Sequence, residues 1–92
     1  MTDRIDIGCG VEIEFAEYKG VVVGINEWHP DKRDPTKRCC GFVFFDVPTE
    51  ARCQGTPVWQ VASLDPLTLS PSLLCRGCGN HGFIKNGKWV PA

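Results

Sequence analysis

The sequence is short of helix. No segment of a dozen residues carries the helical apolar period with caps at its ends, and ten glycines and seven prolines punctuate the 92 residues. It lacks long hydrophobic runs: none approaches the ~20 residues that span a bilayer as a helix. The opening MTDRIDIGCG is polar, without the apolar middle of a secretory leader, so a cytoplasmic protein is expected. An excess of one charge is missing too. Ten Lys and Arg against eleven Asp and Glu leave a net charge of -1, with no global attraction to nucleic acid or anionic membrane. The one basic cluster, Lys32, Arg33, Lys37 and Arg38, is broken by Asp31 and Asp34 and reads as a solvated loop. There are no internal repeats or low-complexity tracts, and histidine occurs only twice.

What is present suits one folded domain over residues 1–92. The chain is 42% hydrophobic, with three Trp and five Phe. At this size the core is thin, and such domains often lean on a metal or on disulfides. Six cysteines in a reducing compartment read as metal ligands or free thiols before disulfides.

The pattern throughout is that of strands. VEIEF alternates, with Val11, Ile13 and Phe15 on one face and Glu12 and Glu14 on the other. EYKG is a turn, and the β-branched run VVVGI is a more buried strand. NEWHPDKRDPTKR reads as a polar loop. GFVFFDV and VWQVAS are further strands, and LDPLTLSPS is extended because residues before proline avoid the helical region. FIK-NG-KWV is a hairpin around Asn86-Gly87, a pair suited to a type I′ turn. The expected fold is all-β, a small sheet or open barrel of short antiparallel strands with a zinc knuckle and a C-terminal hairpin. Trp59 and Trp89 are expected in the core, and Trp28 at the surface.

The knuckle is Cys75-Arg76-Gly77-Cys78-Gly79. Two intervening residues let both sulfurs converge on one ion, and the glycines permit a tight turn that leaves backbone N–H groups facing the thiolates. His81 follows three residues after Cys78. A C-x-x-C redox pair is the rival reading, but such pairs sit at a helix N-terminus, and no helix is expected here.

Zinc takes four protein ligands when structural, and three plus water when catalytic. The remaining candidates are His29, Cys39, Cys40, Cys9 and Cys53. Neighbours on a strand face opposite ways, so one ion does not take both Cys39 and Cys40. Cys40 is preferred because Cys40-Gly41 echoes Cys78-Gly79, while Cys9 and Cys53 read as ordinary thiols. Two schemes stay open. In one, Cys40, Cys75, Cys78 and His81 close a structural site. In the other, His29, Cys40, Cys78 and His81 bind the metal, with Cys75 outside it.

An open coordination position would let zinc activate water, with a carboxylate as base. Glu27 is the candidate, because on an extended segment it points the same way as His29; Glu14 and Glu17 are rivals. A separate route pairs Ser72 as nucleophile with His81 as base. His81 does not serve both as zinc ligand and as free base, so the two routes exclude each other.

The stretch SPSLLCRGCGNHGFIKNGKW resembles the end of small phage proteins. It also resembles the P-S…C-x-x-H-aromatic-aromatic-I-R-x-G ending of the BubE family, through Pro71, Ser72, Cys78, His81, Phe83, Ile84, Lys85 and Gly87. The resemblance spans about the last quarter of the chain. It implies a metal site using Cys78 and His81, and a peptidase that processes ubiquitin-like proteins of bacterial operons. The family's upstream histidine and its cysteine- and glycine-rich strand would map onto His29 and Cys39-Cys40-Gly41. Cys75, which such endings do not need, completes a knuckle here and points to a structural site.

Two functions therefore compete. One is a zinc-dependent peptidase acting on a protein tail. The other is a non-catalytic, zinc-stabilised module, encoded by a phage, that engages a host protein. Nucleic-acid binding by the knuckle, with Phe83 and Trp89 stacking, is weaker because the chain is acidic overall.

Overall fold

The alternation in VEIEF sets the frame. In a computed structural model that describes residues 4–92, it becomes β2 (Val11–Tyr18), with Val11 and Ile13 buried and Glu12 and Glu14 on the other face. Around it, β1 (Ile5–Gly8), β3 (Val21–Pro30) and β4 (Arg38–Phe44) complete an antiparallel sheet of order β1-β2-β3-β4. β5 (Gln60–Leu64) and β6 (Leu67–Ser70) form a two-stranded sheet. β7 (Leu73–Leu74), β8 (His81–Lys85) and β9 (Lys88–Pro91) form a third. Among the described residues there is no helix, and the sheets do not close into a barrel. Among those residues no helix is long and apolar enough to cross a membrane.

One apolar cluster joins the three sheets. Ile7, Ile13 and Ile25 from the first sheet meet Leu67 and Leu69 of β6, Leu73 of β7, Ile84 of β8 and Trp89 of β9. Trp59 is half-buried against it, and Trp28 is half-buried beneath the Arg4 guanidinium. The hairpin turn docks on β6: the Gly87 N–H donates to the Leu67 carbonyl and the Asn86 N–H to the Thr68 hydroxyl. Asn86 and Gly87 both have positive φ, 50° and 74°, as a type I′ turn demands.

The loop expected over NEWHPDKRDPTKR is shorter in the structure. β3 continues through Asn26, Glu27, Trp28 and His29 to Pro30, and β4 begins at Arg38. The two strands supply each other's backbone hydrogen bonds in a register that pairs Glu27 with Gly41, Trp28 with Cys40 and His29 with Cys39. Polar residues on the inner face of a strand read as loop from composition. Here they are tolerated because Glu27 and His29 satisfy each other.

Candidate functional site

Two clusters of reactive side chains flank the β7–β8 loop. The first lies where β3 and β4 end. Along β3, Val23, Ile25, Glu27 and His29 are buried in alternation, so Glu27 and His29 share the core-facing side. Cys39, directly opposite His29, points the same way, and the knuckle brings Cys75 and Cys78 beside them. The ligand atoms of His29, Cys39, Cys75 and Cys78 all lie within 4.8 Å of one another. A tetrahedral ion with metal–sulfur bonds of about 2.3 Å needs donors a little under 4 Å apart, so this donor set fits zinc with slight contraction.

The surroundings of the cluster suit a set of metal ligands. His29 Nε2 is 3.3 Å from Cys78 Sγ, and its other ring nitrogen, Nδ1, is 2.6 Å from a Glu27 carboxylate oxygen. A carboxylate behind a ligand imidazole fixes its tautomer and ring orientation. Burial raises the Glu27 carboxyl against the opposing pull of His29. Burial also works against charge on His29, but its bonds to Cys78 and Glu27 outweigh it and the net shift is upward.

The Lys32 backbone N–H first, then the Asn80 N–H and the side chains of His29 and Cys75, bring the Cys78 thiol down to about 6, against its own burial. Cys39 moves the other way, up to about 12, from burial and then from the neighbouring Cys78 sulfur and Asp31. Two thiols so close do not both ionise without a cation between them. In the knuckle the Cys75 N–H donates to the Asn80 carbonyl at 2.8 Å and the Gly79 N–H to the Cys75 carbonyl at 2.7 Å. Gly79 has φ of 84° and needs to be glycine; Gly77 does not have positive φ.

The second cluster lies on the outer face. Leu73 pairs with Gly82 and Leu74 with His81, so Ser72 falls diagonal to His81 with both side chains turned away from the core. Ser72 is half-buried and His81 exposed, and His81 Nε2 lies 2.8 Å from Ser72 Oγ. The Ser72 carbonyl accepts from the Trp59 indole at 3.2 Å, which ties this residue to the β4 side of the molecule. A groove of about 400 Å³ lies between β4 and β7, with Trp59, Leu74, His29 and Cys75 in its lining; Ser72 and His81 do not line it, and Ser72 adjoins it through the bond of its carbonyl to Trp59.

The structure thus gathers three of the expected ligands, His29, Cys75 and Cys78, and sets Cys39 beside them in place of Cys40, which is exposed. His81, expected at the metal in both schemes, instead meets Ser72. Glu27 meets His29 and not open solvent; Glu14 lies on the outer face of β2 opposite Asn26, and Glu17 is exposed. The Lys32 amide, in a loop read as merely solvated, reaches Cys78; no feature of its side chain could have signalled that.

A family model described as bacterial ubiquitination-like system serine protease (BubE) matches residues 25–92. The chain belongs to the BubE family. The match begins within β3, so every residue of both clusters falls inside it. The BubE resemblance of the C-terminal quarter therefore extends over most of the chain. Neither the curated proteins nor the solved structures compared with it gave a match.

Proposed function

We propose that this BubE protein is a serine peptidase acting on a protein substrate of a bacterial ubiquitination-like system. In this reading Ser72 is the nucleophile, His81 its general base, and the His29, Cys39, Cys75 and Cys78 cluster a structural zinc site. The observation that carries it is the 2.8 Å contact between His81 Nε2 and Ser72 Oγ, a nucleophile and base within hydrogen-bond reach. The family description as serine protease supports the same assignment.

The chemistry follows from that contact. Neutral His81 accepts the Ser72 hydroxyl hydrogen. As Oγ bonds to the substrate carbonyl carbon, the proton passes to Nε2. The imidazolium then protonates the departing amine as the C–N bond breaks, leaving an ester on Ser72. Water, deprotonated by His81, releases the acid and restores the serine hydroxyl.

When bound, zinc would supply four bonds that fasten the knuckle to β3 and β4. The knuckle loop joins β7 to β8, so it sets the register that places Ser72 diagonal to His81. Four protein donors suit a closed site better than one that activates water. Glu27, bonded to His29, is in this account a positioning residue and not a base.

The test is mass spectrometry after treatment with a small fluorophosphonate. The expected result is one adduct, on Ser72, that does not form in His81→Ala. An adduct elsewhere, or none in the zinc-loaded wild type, would remove Ser72 from the role of nucleophile.

A further inference from the structure

We propose that the groove between β4 and β7 takes the substrate as an added β-strand, held by its backbone and led to Ser72; this rests on the serine-peptidase reading. Each strand is the edge of its sheet. On β4, the Phe45 N–H donates inward to Val23 and the Lys37 carbonyl accepts from Asp31, so odd-numbered residues bond toward β3. The Phe44 carbonyl points the other way and accepts from the Trp59 N–H at 2.8 Å. By the same alternation Cys40 and Phe42 turn their N–H and C=O groups off the sheet, and no described residue pairs with them there.

β7 shows the complementary pattern. The Cys75 N–H bonds toward β8, whereas the Ser72 carbonyl faces Trp59, so Leu74 also turns its backbone groups outward. Two unpaired strand edges thus line one groove. An exposed edge is a template for another strand, and proteins normally blunt it with charge or proline. Cys40, Gly41, Phe42 and Leu74 do neither.

The side chains suit an extended chain. Trp59, bonded to both Phe44 and Ser72, lines the groove and joins its β4 edge to the backbone of the nucleophile. Leu74 is 56% exposed and Phe42 40%, an apolar surface for alternate residues of the occupant. A Cβ at Gly41 would meet nothing within 4 Å, and this residue lines the groove. Its missing side chain leaves the width that a second backbone needs. The ligand class is therefore an extended, unstructured polypeptide segment recognised through its main chain, not a folded surface or a small molecule.

The experiment compares zinc-loaded wild type, Gly41→Ala and Gly41→Leu. Cleavage is followed on a positional-scanning pool of fluorogenic tetrapeptides, and Ser72 labelling by a small fluorophosphonate is measured in parallel. Gly41→Leu is expected to raise KM about tenfold or more, Gly41→Ala much less, with labelling changed by less than about twofold. The best peptide, N-methylated at single positions, should lose binding at alternate residues only. An unchanged KM in Gly41→Leu, or equal tolerance of N-methylation at every position, would overturn the groove. If wild type is not labelled at Ser72, the serine reading fails by itself. Shifts of the Cys40, Phe42 and Leu74 amide resonances by the same peptide pool, abolished in Gly41→Leu, would then still support the groove, and their absence would reject it.

Discussion

Cys39 and Cys40 differ by one position, and that position decides which sulfur joins the cluster that could hold a metal ion. The apolar run Phe42-Val43-Phe44-Phe45 has no alternation, so its inner face is not legible from sequence, and the match between Cys40-Gly41 and Cys78-Gly79 misleads. Strand register supplies the missing parity: Val43 is buried, four residues from Cys39, and His29 lies opposite Cys39. Cys39→Ser is therefore expected to cost the protein its zinc, and Cys40→Ser to keep it, by elemental analysis of the purified variants. Glu27→Gln keeps the ion but weakens affinity about 10–100-fold in a chelator competition, the usual penalty for losing the carboxylate behind a ligand histidine. The pH dependence has a definite sign. Cys39 holds its proton well above the ordinary thiol value when no ion is bound. Binding at neutral pH must displace that proton, so apparent affinity rises with pH, by about tenfold per unit for each proton released. A flat profile between about pH 6.5 and 8.5 would mean that Cys39 is not a ligand.

Among the elements, the C-terminal hairpin was the most legible, because Asn-Gly between apolar runs specifies a turn through local chemistry alone. β2 was equally plain from its alternation. The end of β3 was not, since Asn26, Glu27 and His29 have the composition of a loop and become strand only through their partners on β2 and β4. Gly82 was silent as well. It sits on β8 where a Cβ would collide with the Trp89 ring and approach the Val90 carbonyl at 2.8 Å. Its glycine lets Trp89 lie flat across the sheet beside Leu73 and Ile84. Gly82→Ala is expected to destabilise the fold by about 1–3 kcal/mol through overpacking, read from the denaturant midpoint at constant slope. Because Gly82 follows His81, the same variant should also slow Ser72 labelling. Normal stability together with normal labelling would contradict this account of the hairpin.

For the whole molecule, one apolar cluster is shared by three small sheets. The His29, Cys39, Cys75 and Cys78 cluster brings side chains of the first sheet against the knuckle that joins β7 to β8 in the third. Chelation is therefore expected to lower the thermal midpoint by several degrees or more and to end fluorophosphonate labelling in step with unfolding. The fold class was legible because period and turn residues are local properties. The pairing of Ser72 with His81 was legible only as one route among several: both residues are plain in the sequence, but a histidine near two cysteines reads first as a ligand. Only the diagonal geometry of β7 and β8, and the place of Cys39 beside His29, Cys75 and Cys78, separate the two roles.

The central claim is that the serine performs the chemistry and the metal holds the structure. Its most direct test is the rate of peptide cleavage by Ser72→Ala carrying its full complement of zinc. The account predicts one zinc per chain, an unchanged fold and a fall in kcat of at least about a thousandfold. Cleavage at near wild-type rate by that variant would contradict it and return the chemistry to the metal.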